Sequence, residues 1–113
     1  NILVVDADCR ECKKMLMSSK YLNDAALSRI TVIFTYNEKE QQSLNVQQIS
    51  SYSWLINKYQ AARTHILKHL KVHVFPYYIQ IDQYRQVVYK GIASIDVILE
   101  RLNVDTRVQP NIQ

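Results

Sequence analysis

Ile2 to Val5 is an unbroken aliphatic run, the pattern of a strand buried on both faces. It leads into Asp6-Ala7-Asp8-Cys9, where Asp6 and Asp8 can each cap a helix. Lys13, Lys14, Met15, Leu16 and Met17 then predict that helix from Glu11 to about Lys20. Tyr21 to Ser28 reads as a second helical turn or a loop. The β-branched and aromatic stretch Arg29 to Tyr36 predicts a second central strand, and the three pieces make a β-α-β unit with a right-handed crossover.

Asn37 to Gln48 is polar and reads as a loop, with room for a short exposed helix. Two readings fit residues 50–70. Ile49, Tyr52, Ile56, Tyr59 and Ile66 fall near helical spacing, as in one long helix; alternatively Trp54 to Asn57 is a short strand and the helix begins near Ala61. Ser43, Ser50, Ser51 and Ser53 are poor helix material and favour the second reading. In either, Ala62, Ile66 and Leu70 share one helical face. Tyr77 to Asp82 alternates as a strand, Asp82 to Arg85 supplies a turn, and Gln86 to Lys90 returns as the antiparallel partner. Gly91, the only glycine, predicts a bulge or a positive φ. Ser94 or Asp96 caps a final helix whose apolar stripe is Ile95, Ile98, Leu99 and Leu102. No internal repeat is visible.

At 113 residues the chain is one domain, spanning 1–102, with residues 103–113 as a frayed tail. Hydrophobic residues at 48%, charged residues at 21% and the absence of low-complexity tracts exclude disordered, collagen-like and mucin-like classes. No apolar run approaches the ~20 residues of a membrane-spanning helix. Strand residues begin directly after Asn1 without a signal-peptide pattern, so we expect an excised domain or mature fragment of a larger protein. Fourteen Lys and Arg against ten Asp and Glu give a formal charge of +4. The basic residues are scattered, with Lys13 and Lys14 the only adjacent pair, so the concentrated footprint of a nucleic-acid partner is missing.

The two cysteines, Cys9 and Cys12, bracket Arg10-Glu11 as a single C-x-x-C. One pair cannot build a disulfide scaffold, so its chemistry is the question. At the first turn of a helix the unpaired N–H groups and the macrodipole favour a thiolate at Cys9, lowering its pKa from the free value of ~8.5. Cys12, one turn on, can attack a mixed disulfide formed at Cys9. Arg10 favours the thiolate, whereas Glu11 and Asp8 oppose it. His65, His69 and His73 recur every four residues, and the first two share a helical face opposite the apolar one. They are expected to face solvent, with no metal bound. Most of the eight tyrosines are expected in core or rim positions. Tyr77 and Tyr78 stand out because they follow Pro76.

In order the chain runs strand, C-x-x-C, helix, strand, insert, helix, proline, hairpin, helix. Over about residues 2–102 this resembles the thioredoxin superfamily, on three matches in register: the C-x-x-C after an aliphatic strand, Phe75-Pro76 before the third strand, and a hairpin ending in Val-Tyr-Lys-Gly91. More than sixty residues separate Cys12 from Pro76. An insert of that length is similar to the TlpA and ResA branch of envelope thiol-disulfide oxidoreductases, which also has an extra strand. The resemblance implies an α/β, thioredoxin-like fold: a central mixed β-sheet flanked by helices, with an insert between the β-α-β and β-β-α halves. It further implies Cys9 as exposed nucleophile, Cys12 as buried resolving thiol, and a cis bond before Pro76 that holds the Phe75 backbone against the cysteines for an extended substrate. Protein thiols or disulfides would be the partners, no cofactor would be bound, and the setting would be the bacterial periplasm or cell envelope. A non-catalytic thioredoxin-fold interaction module is the alternative. The chain departs from the pattern at Asp8, where an aromatic is usual, at Arg10-Glu11, at Leu3, where many thioredoxins carry a buried acid, and at Phe75, which is bulkier than usual and narrows the groove.

Overall fold

The computed structural model describes residues 1–6, 8–38 and 49–107. Five strands form one sheet in the order β3-β2-β1-β4-β5: β1 (Ile2–Asp6), β2 (Thr31–Tyr36), β3 (Asn57–Ala62), β4 (Tyr77–Ile81) and β5 (Val87–Ile92). β1, β2 and β3 run parallel, with Leu3 opposite Val32 and Ile33 opposite Tyr59. β4 lies antiparallel to β1, and β5 antiparallel to β4. The helices are α1 (Arg10–Ser19), α2 (Asp24–Leu27), α3 (Arg63–Leu70) and α4 (Ile95–Arg107).

Because side chains alternate across a strand, β1 serves both faces. Leu3 and Val5 join Cys12, Met15, Leu16, Val32, Phe34, Tyr78, Ile98 and Leu102 in a large core beneath α1 and α4. Val4 joins Ile66, Val72 and Ile79 in a smaller one beneath α3. The aliphatic run therefore has the double burial its composition predicts.

The second reading of residues 50–70 is correct in kind and displaced in position. There is a strand followed by a helix, but the strand starts at Asn57, where it was expected to end, and α3 begins at Arg63. β3 is a sheet edge of sequence NKYQAA, too polar to show the alternation of a half-buried strand. Trp54 and Leu55 lie in the turn before it and point inward: Leu55 is buried, and the Trp54 indole N–H donates to Ser19 Oγ at 2.9 Å. Of the polar stretch before it, residues 39–48 lie outside the described residues.

Gly91 has neither a positive φ nor a bulge. It pairs with Tyr78 in regular register, and the irregularity falls between Gln80 and Ile81. A Cβ on Gly91 would stand 3.1 Å from the Tyr89 hydroxyl, so crowding is the constraint there. Positive φ occurs instead at Lys71, which ends α3 in the left-handed conformation, and at Arg85 in the hairpin turn. Ser94 caps α4 by accepting from the Val97 N–H at 3.1 Å. The helix continues to Arg107, five residues into the stretch expected to fray.

Candidate functional site

β1 ends at Asp6 and α1 begins at Arg10, so the turn between them places Cys9 just past the C-terminal end of the central strand. Neither aspartate caps the helix. Cys9 itself is the N-cap, its Sγ accepting the Cys12 backbone N–H at 3.1 Å, while its own N–H donates to the Asp6 carbonyl at 3.2 Å. A sulfur takes the place that a capping oxygen usually fills. Asp8 is exposed, and the Asp6 carboxylate is engaged elsewhere.

Cys9 and Cys12 are joined as a disulfide, with Cα atoms 5.2 Å apart. The two sulfurs have different surroundings. Cys12 is 0% exposed, within the large core, whereas Cys9 is half-buried at its margin. An incoming thiolate can therefore reach Cys9 and not Cys12. The Phe75–Pro76 peptide bond is cis, and the Phe75 carbonyl oxygen lies 3.8 Å from Cys9 Sγ. Pro76 is buried, and its carbonyl accepts from the Ala93 N–H at 2.9 Å, which ties the proline loop to the junction between β5 and α4.

A groove of about 400 Å³ opens between α1, the proline loop and the β5 to α4 junction; neither cysteine lines it, and Phe75, whose carbonyl approaches Cys9, connects the two. Phe75 and Pro76 form one wall, Met15 and the exposed Glu11 another, and Ile92 and Ile95 the third. Glu11 and Lys14 sit 3.8 Å apart with both side chains about 70% exposed, so their pairing is weak. Arg10 is exposed at the same helical turn. The structure thus brings together Cys9, Cys12, Phe75, Pro76 and Glu11, with Asp8 and Arg10 on the exposed turn beside them.

Tyr77 and Tyr78 do not line the groove. Tyr78 is wholly buried, its hydroxyl donating to the Asn1 side-chain oxygen, and Tyr77 packs against the smaller core. Their alternation in β4 turns them into the two faces of the sheet. Two contributions escaped the sequence reading. The first is the β5 to α4 junction, Ile92 to Ile95, whose proximity depends on the sheet order. The second is Asp6, whose carboxylate receives both a 2.9 Å and a 2.7 Å contact from Arg63 Nη2 at the start of α3. More than fifty residues separate the partners, and no local spacing announces them.

His65 and His69 are exposed on α3, as expected, and no cluster of three or more metal-ligating side chains occurs among the described residues. No helix among the described residues is long and apolar enough to cross a membrane.

Several solved structures share this fold. StoA from Bacillus subtilis matches with a TM-score of 0.63 over 88% of this chain and 78% of its own, at 15% identity. A thiol:disulfide interchange protein from Bacteroides sp. gives 0.64 over 90% of this chain and 69% of its own, also at 15% identity. The thioredoxin domain of a thiol-disulfide oxidoreductase from Bacteroides vulgatus gives 0.63 over 96% and 77%, at 17% identity. At such identities the likeness is one of fold, and the fold is thioredoxin-like. No family model and no curated protein sequence matches the chain.

Proposed function

We propose that the chain is a thiol-disulfide oxidoreductase that exchanges disulfides with protein partners through Cys9 and Cys12. The observation that carries this reading is the asymmetry of the pair: a half-buried Cys9 at a helix N-terminus, with the Phe75 carbonyl 3.8 Å from its sulfur, bonded to a fully buried Cys12.

In the oxidising direction a partner thiolate attacks Cys9 Sγ. The Cys9–Cys12 bond breaks, and Cys12 leaves as a thiolate that takes up a proton. A second partner thiolate then attacks the partner's own sulfur in the mixed disulfide. The partner disulfide forms and Cys9 is released as a thiolate, so two electrons have passed to the chain. The reducing direction reverses each step, with Cys9 attacking the partner disulfide and Cys12 resolving the intermediate. The Cys12 N–H that donates to Cys9 Sγ, together with the α1 macrodipole, favours the Cys9 thiolate in both directions.

Phe75 and Pro76 are the proposed substrate contacts, where an extended partner segment lies along the groove. Asp8, Arg10 and Glu11 tune the thiolate from the exposed turn, Arg10 by attraction and the two acids by repulsion. We assign the chain to the cell envelope on its resemblance to the TlpA and ResA branch.

Catalysed reduction of a protein disulfide such as insulin's, with dithiothreitol as reductant, tests the reading. Wild type should accelerate the reaction, Cys9→Ser should abolish the acceleration, and Cys12→Ser should trap a mixed disulfide detectable by mass. A wild-type rate no higher than that of the two variants would overturn the proposal and leave an interaction module.

A further inference from the structure

The chemistry proposed for the cysteines leaves a pair of histidines unused on the opposite side of the sheet. α3 carries His65 and His69 one turn apart, and their imidazole rings lie side by side with centroids 4.2 Å apart. Both are exposed, and both border a polar recess of about 560 Å³ that Tyr36 and Glu38 also line. Histidines at i and i+4 share a helical face, so an ion held by one ring meets the second without any change of backbone. This is the histidine spacing with which H-E-x-x-H helices hold zinc.

The neighbouring groups define what such a site can take. Among the described residues no third His, Cys, Asp or Glu completes a cluster, and Glu38 already accepts a hydrogen bond from the Thr64 hydroxyl. Lys68, at the rim of the recess, adds a positive charge. With no third such ligand among the described residues, water fills the rest of the coordination shell. A structural zinc site, which needs four protein ligands, does not fit. Copper(II) does, because it accepts two imidazole nitrogens and waters in a tetragonal arrangement and stands highest in the divalent affinity order.

We propose that His65 and His69 form a surface chelate for a divalent transition ion, Cu²⁺ most tightly, with Ni²⁺ and Zn²⁺ weaker. The site is separate from the disulfide and does not depend on its activity.

Copper(II) alone, titrated into the full chain with the Cys9–Cys12 disulfide closed, tests this without competition from thiols. Calorimetry should show one saturable site, and electron paramagnetic resonance should show coupling to two nitrogens. Because the second imidazole binds intramolecularly, His65→Ala and His69→Ala should each weaken binding by on the order of 100-fold. His73→Ala, at an exposed residue outside the pair, should leave binding as it was. Circular dichroism of each variant verifies that the helix is kept. Weakening by only one of the two substitutions, or by neither, or a signal from a single nitrogen, would overturn the chelate.

Discussion

The two faces of the sheet are unequal. Among the described residues, fourteen buried side chains cluster beneath α1 and α4, against four beneath α3. The strands are shared, so the helices make the difference: α1 buries Cys12, Met15, Leu16 and Ser19, whereas α3 buries only Ile66. Each face carries a close pair of reactive side chains, and their settings follow from this inequality. Cys12 is packed into the thick core, which holds the sulfurs in place. The histidines stand on the outside of a thinly anchored helix, open to water. Spacing alone does not distinguish a pair built into a core from one displayed on a surface.

Truncating one residue on each face puts the comparison to its strongest test. Leu16 and Ile66 are both buried, but Ile66 is the one buried side chain of α3, so that helix can settle into the space left under it. Leu16→Ala should cost about 3 to 5 kcal/mol and Ile66→Ala about 2 to 3 kcal/mol, within the span for buried aliphatic truncations. Urea midpoints at matched slopes would measure this. Equal costs, or a larger one at Ile66, would break the distinction between the faces.

The Asp6–Arg63 ion pair sharpens it. Asp6 follows Ile2 and Val4 on the α3 side of β1, so the pair fastens the start of α3 to the end of the strand that leads to Cys9. The Asp6 side chain is 11% exposed and that of Arg63 is 36%. Arg63→Met would leave a largely buried carboxylate without its partner and should cost about 1 to 3 kcal/mol, reduced by the water that reaches Arg63. Adding Asp6→Asn should recover part of the loss, as a double-mutant cycle would show. Lys14→Ala, at the exposed Glu11–Lys14 pair, should stay within about 0.5 kcal/mol. A similar cost at Arg63 and Lys14 would mean that α3 is held by Ile66 alone.

The same inequality marks what could be read from residues alone. Ile2 to Val5, Arg29 to Tyr36 and Tyr77 to Ile81 declare themselves because buried strands need β-branched and aromatic residues in runs or alternation, and β5, though an exposed edge strand, carries the same residue types after a turn. Cys9 and Cys12 stand out by their C-x-x-C spacing, and Pro76 by the order of elements that resembles the thioredoxin superfamily. β3 lacks that signal because it is an edge strand of Asn, Lys and Gln, and Trp54 has the residue type of a strand although its indole serves a turn by bonding Ser19. The groove wall at Ile92 to Ile95 and the Asp6–Arg63 contact arise from sheet order, which brings distant segments together without a local pattern.

Tyr52 offers the finest probe of the thick face. Its ring stacks on Phe34 with centroids 5.8 Å apart and meets Trp54 edge-on at 5.6 Å. Burial pushes its phenol above the ordinary tyrosine value of about 10. In the unfolded chain the phenol ionises at that ordinary value, whereas the folded protein retains the proton to higher pH. The unfolded state thus gains charge first, and the stability linked to Tyr52 is complete below pH ~10 and declines as pH climbs through the folded value. Tyr52→Phe should remove this component, leaving a shallower loss of stability in denaturant midpoints followed into the alkaline range. The effect is expected to be the smallest of the three because it concerns one partly shielded hydroxyl. An unchanged alkaline slope would mean that water reaches the Tyr52 hydroxyl freely and that the aromatic stack closes the thick face less tightly than its ring geometry implies.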